Sequence, residues 1–382
     1  MNIGFDAKRA FHNGTGLGHY SRSLIRALAE SFPQHEYYLF NPKLSRTFDL
    51  SQDHLHEVLP NRFLSKALPA LWRSKGVVKD LKVMRIGLYH GLSHEVPFGI
   101  EDTDIPAIVT MHDLIHERYP AQYKAIDRKI YTKKYKHACA ASERVIAISE
   151  QTRADLIQYY QIPDEKIVVC YQSCNPSFGI KRSAHEIEAV KKLYKLPEHY
   201  LLSVGSIIER KNLLNVCKAY FILRNELDIP LVVIGNGGTY KQQVQDFVKQ
   251  NNLEQKIIFL SDQPEAQHAS FKNAVDFPAI YQGSLGMIYP SHFEGFGIPV
   301  LEALWSRIPV ITSNVSCLPE AGGEGAFYVN PSSAEEIAQA IKTITTETDL
   351  VKTQTEKGWQ HAQHFTPEKC AAAVMNVYQS VW

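Results

Sequence analysis

The sequence is short of several things that would narrow its class at once. No apolar run approaches the ~20 residues that a membrane-spanning helix needs, so no stretch of the chain reads as a transmembrane segment. Neither sign of charge dominates. With 41 Lys and Arg against 40 Asp and Glu, the balance argues against a general nucleic-acid binder, and any anion site must be local. The six cysteines (Cys139, Cys170, Cys174, Cys217, Cys317, Cys370) form no Cys-x-x-Cys pair. Together with an opening MNIGFDAKRA, which carries no charged-then-apolar leader, they lead to the expectation of reduced thiols in a cytoplasmic protein. Cys170 and Cys174 are the closest pair, yet no His or Cys cluster accompanies them and no zinc site is expected. Internal repeats and low-complexity stretches are also missing.

What is present is a globular composition, 45% apolar and 21% charged over 382 residues. That length exceeds the size at which one hydrophobic core keeps growing, so two domains are expected. Short apolar runs alternate with amphipathic helical stretches, the pattern of βαβ units and a mostly parallel sheet. In the first half, strands are expected at 2–6, 37–40, 86–90, 107–111 and 144–148. A glycine loop, Gly14-Thr15-Gly16-Leu17-Gly18, follows the first strand and opens a helix with Leu24, Ile25, Leu28 and Ala29 at helical spacing. Around 171–182 the periodicity breaks into a polar, Asn-Pro-containing segment, and a new series begins. Its strands are expected at 200–204, 231–234, 257–260, 286–289, 310–312 and 326–329. The fold class is therefore α/β with two doubly wound domains, 1–178 and 179–364, followed by a last helix within 365–382 that Pro367 starts. Ligands of such sheets collect at the carboxyl ends of the strands, which makes the cleft between two facing domains the expected active site.

The segment 60–82 mixes Arg62, Lys66, Arg73, Lys75, Lys79 and Lys82 with Phe63, Leu64, Leu68, Leu71 and Trp72. It reads either as a contact with an anionic membrane or as a solvated helix with one buried face. A second basic run, 129–136, adds to the first reading.

Two segments carry chemistry. In Gly205-Ser206-Ile207-Ile208-Glu209-Arg210-Lys211-Asn212, an adjacent Arg and Lys stand just beyond a strand end and before a helix. A guanidinium can grip phosphate oxygens in a fork, an ammonium adds a compact charge, and the helix amino end contributes positive potential, so the pair suits a diphosphate. An exposed turn would also place an Arg-Lys pair there. The second segment, 290–303, holds Glu294, Gly295, Phe296, Gly297, Ile298, Pro299 and Glu302. Its glycines let backbone approach a ligand, and its two carboxylates are eight positions apart, about two helical turns. Both can then face one groove, one accepting hydrogen bonds from a transferred sugar and the other from a ribose.

This second segment resembles the EX7E signature of retaining glycosyltransferases with the GT-B fold, most closely those of glycosyltransferase family 4. Gly205 to Asn212 is similar to that family's phosphate-gripping motif, and Gly14 to Gly18 to its first-domain glycine loop. His112-Asp113, Ile148-Ser149-Glu150, Leu318-Pro319-Glu320 and Val329-Asn330-Pro331 resemble further family segments, in the family's order and over nearly the whole chain. One departure is Ser206, where many members carry Arg directly after the glycine.

The resemblance implies a GT-B architecture of two Rossmann-like domains, with donor binding mainly by the second, acceptor binding mainly by the first, and a final helix crossing back to the first. It implies catalytic roles for His112, Arg210, Lys211 and Glu294. Donor contacts are implied for Gly16, Gly18, Gly205, Ser206, Arg210, Lys211, Glu294, Gly295, Phe296, Gly297, Ile298 and Glu302. The activity implied is transfer of a hexose, mannose by analogy, from a nucleotide-diphosphate sugar to a glycan or lipid-linked acceptor in surface polysaccharide or glycolipid synthesis. No cofactor is expected, and no metal at Asp102-Thr103-Asp104. Location would be cytoplasmic, at most peripheral on the inner face of the membrane. His112 alone would equally read as a core or capping histidine, and the glycine loop as simple turn chemistry. The alternatives are a GT-B sugar-nucleotide epimerase, a phosphorylase, or a non-catalytic nucleotide-sugar binding protein. A dehydrogenase is disfavoured because Gly14, Gly16 and Gly18 do not give G-x-G-x-x-G.

Overall fold

The structure, a computed structural model, describes residues 1–45, 48, 50 and 52–382, and for Phe63 and Leu64 the backbone alone. Those two apolar side chains of the basic segment thus lie outside the described set.

The chain divides into two units, one of Met1–Ser173 with Phe365–Trp382, the other of Cys174–His364. The sequence alone places the join at 178/179. Each unit is built on one sheet, and every strand pair in both is parallel.

Unit 1 has seven strands: β1 (Asn2–Asp6), β2 (Glu36–Phe40), β3 (Leu55–Val58), β4 (Leu88–Gly91), β5 (Ala107–Met111), β6 (Arg144–Ala147) and β7 (Ile167–Val169). They lie in the order β3-β2-β1-β4-β5-β6-β7. Strands β3 and β7 were not anticipated. Both are outer strands; β3 sets His56 and Glu57 between its two apolar residues and so shows no apolar run, while β7 is a three-residue run directly after the charged Asp164-Glu165-Lys166. Strand β4 starts at Leu88 rather than at Ile86, because the Ile86 amide is used to close the preceding helix on Leu81 O, at 3.0 Å.

Unit 2 has six: β8 (Leu201–Val204), β9 (Leu231–Ile234), β10 (Ile257–Phe259), β11 (Gly286–Tyr289), β12 (Val310–Ser313) and β13 (Phe327–Val329), in the order β10-β9-β8-β11-β12-β13. The strand order reverses direction between β1 and β4 in one sheet and between β8 and β11 in the other. In doubly wound sheets, ligands bind outside the carboxyl ends at such a switch point.

Helix α1 (Gly16–Ser31) buries Leu24, Ile25, Leu28 and Ala29. These join one core cluster with Ala371, Val374, Met375, Val377 and Tyr378 of the last helix. That helix opens on Thr366, whose hydroxyl accepts from Lys369 N at 3.3 Å, with Pro367 in its first turn. Tyr378 and His90 share a hydrogen bond of 2.7 Å that is wholly buried. Each fully buried side chain of this size contributes roughly 1.5–3 kcal/mol, so the last helix is an integral part of the first unit.

Candidate active site

At the switch point of unit 2, the loop after β8 faces the loop after β11. Gly205 leaves β8 at φ +134, a region open to glycine, and a β-carbon there would lie 3.1 Å from Lys211 Nζ. The chain then makes a short turn over Glu209–Lys211 and reaches Asn212 at φ 64 before α3 (Leu213–Ile222). Asn212 is buried, and its amide donates to the carbonyls of Pro290 (3.0 Å) and Pro331 (2.6 Å). His292 N donates to Arg210 O at 2.8 Å. Backbone and side chain thus lace the two loops together.

Glu294 is the centre of what they enclose. It is 9% exposed. Its Oε1 accepts from Tyr289 Oη at 2.8 Å and Ser291 Oγ at 2.9 Å and meets Lys211 Nζ at 3.2 Å, while its Oε2 meets Arg210 Nη1 at 2.9 Å. Arg210 also donates to Phe293 O, and Lys211 to Tyr289 Oη. Burial by itself would raise this carboxyl. The Lys211 and Arg210 charges and the hydrogen bonds outweigh it and hold the carboxyl at about 2. The backbone of Glu294 is fixed as well: Ser316 Oγ donates to its carbonyl at 3.0 Å, and Cys317 Sγ does so at 3.0 Å.

Glu302 differs. It lies on α4 (Ile298–Trp305), which begins at Gly297, φ +109, with Pro299 in its first turn. A β-carbon at Gly297 would meet Leu318 Cδ2 at 2.9 Å. The half-buried Glu302 carboxyl accepts from Tyr281 Oη at 2.9 Å. Burial pushes it up to about 7, against the Tyr281 hydrogen bond and the Lys211 charge. Two carboxylates eight residues apart thus sit near one lysine, one ionised and the other titrating near neutrality.

Of the remaining expected donor contacts, Ser206 is exposed, Gly295 and Ile298 are half-buried, and Phe296 is 3% exposed. The Phe296 ring belongs to the core, so only its backbone is placed for a ligand.

His112 follows β5 in unit 1. It is buried, and its ring is in use on both sides: Nε2 donates to Leu92 O at 2.9 Å, and Nδ1 accepts from Gln172 Nε2 at 3.1 Å. The Tyr20 ring meets it edge-on at 4.7 Å. Burial, with the neighbouring His94, pushes it down to about 3, so it is neutral. In the glycine loop, Asn13 Oδ1 accepts from Thr15 N (2.8 Å), Thr15 Oγ1 (2.7 Å) and Gly18 N (3.2 Å). A β-carbon on Gly18 would lie 1.8 Å from Asn13 O, whereas one on Gly16 would meet nothing. Packing therefore suffices to demand glycine at 18. The Asp102-Thr103-Asp104 turn holds both carboxylates exposed.

Two family models together match nearly the whole chain, "Glycosyltransferase Family 4" over 14–178 and "Glycosyl transferases group 1" over 185–361. The chain belongs to glycosyltransferase family 4. Among its relatives, the O-antigen chain mannosyltransferase B of Escherichia coli is 27% identical over 99% of this chain and 100% of its own. A solved glycosyltransferase of Rickettsia africae superposes with a TM-score of 0.74 at 16% identity, covering 100% of this chain and 98% of that one. An Anabaena protein solved with UDP-glucose gives a TM-score of 0.74 at 16% identity, covering 100% of both chains. The fold shared with these structures is GT-B.

Sequence motifs of the transferase named Arg210, Lys211, Glu294 and Glu302, and the structure brings these four together in unit 2. It holds His112 and the glycine loop in unit 1. Motif reading missed Tyr289, Ser291 and Tyr281. Tyr289 and Ser291 stand at and just after the carboxyl end of a strand beside a switch point, a position that could have marked them; Tyr281 carries no local signal. It missed too the ion pairs at the other switch point, where Arg73 holds Asp6 through Nε (2.9 Å to Oδ1) and meets Glu95 Oε2 at 3.1 Å. Within the basic segment, Arg73 and Trp72 turn inward, Arg73 to the buried Asp6 and Trp72 donating its indole N–H to the half-buried Asp80 Oδ2 at 2.6 Å, which fits the reading of one buried face.

Proposed function

We propose that the chain transfers a hexose, mannose by the example of its relatives, from a nucleotide-diphosphate sugar to a glycan or lipid-linked acceptor in surface polysaccharide or glycolipid assembly, with retained stereochemistry and without a metal ion. The observation that carries this reading is the pairing of two cations with one carboxylate at the switch point of unit 2. The local charge is positive by one, in a protein that is otherwise balanced.

Chemistry then follows from charge. As the bond between the anomeric carbon and the diphosphate oxygen breaks, negative charge grows on the departing phosphate, and Arg210 and Lys211 stabilise it in a largely dry site. The acceptor hydroxyl bonds to the anomeric carbon on the face the diphosphate leaves, and its proton passes to the departing phosphate oxygen. Glu294 stays ionised. A carboxylate offers about four lone-pair sites; three donors crowd its Oε1 and one its Oε2, which leaves room for one sugar hydroxyl on Oε2. Glu302 takes the ribose hydroxyls. His112 enters as a neutral group, and a sugar hydroxyl would engage it by replacing Leu92 O or Gln172. The diphosphate's counter-charge is supplied by side chains, so transfer is expected to proceed in EDTA. A cytoplasmic enzyme acting at the inner face of the membrane fits a lipid-linked acceptor.

The test is a transfer assay with GDP-mannose and UDP-glucose and a lipid-linked glycan acceptor, with EDTA present, the product's anomeric configuration being read by NMR. Retained configuration with undiminished rate supports the proposal. Inverted product, or transfer abolished by EDTA, contradicts it.

A further inference from the structure

We infer that the outer face of helix α2 (Ala125–Ala141), with the adjoining segment 66–83, is a docking surface for an anionic lipid bilayer. The charge of the transferase is distributed very unevenly. Residues 60–85 hold seven basic side chains and one acidic, and residues 124–136 six basic and one acidic. The rest of the chain is left with 28 basic against 38 acidic residues. Local excess of this size, in a chain of net charge +1, is a patch with one sign.

Helix α2 shows what the patch is built for. Ile126, Lys129, Ile130 and Lys133 stand at i, i+3, i+4 and i+7 and so share one face. All four are exposed, Ile126 by 67% and Ile130 by 46%. The opposite side buries Ala138 and Cys139. Exposed branched apolar side chains flanked by lysines suit the boundary between headgroups and acyl chains, where the apolar groups enter and the ammonium groups remain with lipid phosphates.

The second segment repeats the pattern. Leu68, Leu71 and Val83 are 54%, 58% and 74% exposed, among the exposed Lys66, Lys75, Lys79 and Lys82. The two segments are fastened to each other. Glu95 Oε2 receives Arg73 Nη1 at 3.1 Å and Lys134 Nζ at 3.0 Å, one cation from each. Phe98 donates its N–H to Ser74 O at 2.8 Å and stacks its ring on His137 of α2, with centroids 4.1 Å apart. Of the acidic groups nearby, Asp80 is engaged by Trp72, Glu95 as above and Glu117 by Thr132, which leaves Asp127 of α2 and Glu101, 3.9 Å from His137, against the many exposed lysines. Among the described residues, no ion pair neutralises these exposed lysines, and lipid phosphate is the chemistry that matches both them and the isoleucines between them.

The full chain is to be sedimented with vesicles of phosphatidylcholine alone and of equal parts phosphatidylcholine and phosphatidylglycerol. Binding is expected to the anionic vesicles only, weakening as salt is raised. Lys129→Gln with Lys133→Gln should weaken it about 25-fold, fivefold for each of two lysines worth about 1 kcal/mol at a membrane surface. Ile126→Ser with Ile130→Ser should weaken it as well, with unchanged Tm and nucleotide affinity, since these side chains touch neither core nor donor site. Four results would overturn the inference: no binding to anionic vesicles, equal binding to phosphatidylcholine, variants that bind like the parent, or a dimer in solution that the same substitutions dissociate.

Discussion

Glu294 and Glu302 are the same residue type in one short segment, and their surroundings drive them apart. Two cations and two hydroxyls hold the first at about 2; burial raises the second to about 7 against a single phenol hydrogen bond and the Lys211 charge. Sequence spacing named both residues. It could not reveal that Arg210 and Lys211 close on Glu294, because only the fold brings the loop after β8 alongside the loop after β11. Replacing Lys211 with Ala leaves Glu294 still paired with Arg210, so the fold should survive while turnover falls by about 10²–10³, the loss of one donor at a developing oxyanion; steady-state kinetics beside a melting curve checks it. The Glu302 carboxyl should make donor affinity rise as pH passes upward through about 7, since ionised oxygens accept both ribose hydroxyls. Glu302→Gln should flatten that dependence. A pH-independent affinity in the parent would remove Glu302 from the ribose.

At the scale of the elements, the doubly wound pattern was legible because buried parallel strands are short apolar runs and their helices are amphipathic. The outer strands β3 and β7 were not, the first because His56 and Glu57 interrupt its apolar residues, the second because its three residues follow a charged turn. Glycine motifs were legible as motifs but not as to purpose. Gly205 and Gly297 have positive φ and a close neighbour, whereas in the first loop Gly18 is pressed on Asn13 O and Gly16 has open space. Gly18→Ala should therefore lower the melting temperature by displacing the amino end of α1. Gly16→Ala should leave it nearly unchanged, and any loss of donor or acceptor binding in that variant would report on a ligand that approaches the backbone there. Equal destabilisation by both would show that the loop is only a turn.

For the whole molecule, acid acts on unit 1 through three buried histidines, and on unit 2 through Glu302 in one direction and Glu294, His292 and His361 in the other. His90, His94 and His112 in unit 1 are each pushed by burial from 6.5 to about 3. Their folded values lie below the unfolded ones, so the stability they confer is complete above about 6.5 and is lost as pH falls toward 3. Each costs about 1.4 kcal/mol per pH unit within that window. In unit 2, Glu302 is raised above its unfolded value, so its contribution is complete below about 4.5 and is lost as pH rises through about 7. Between about pH 6.5 and 4.5, unit 1 weakens while the Glu302 contribution to unit 2 grows. Hydrogen exchange near pH 5 should find the strands of unit 1 opening before those of unit 2; the reverse order would refute the assignment of three neutral buried histidines.

The central claim is that the switch point of unit 2 binds a nucleotide diphosphate through Arg210 and Lys211. Calorimetric titration with GDP, UDP, ADP, TDP and CMP, with and without EDTA, on the parent chain and on Lys211→Ala, tests it most directly. The account predicts that one diphosphate binds selectively, that EDTA changes nothing, and that the substitution weakens binding. Failure of every diphosphate to bind, or equal affinity in Lys211→Ala, would contradict it.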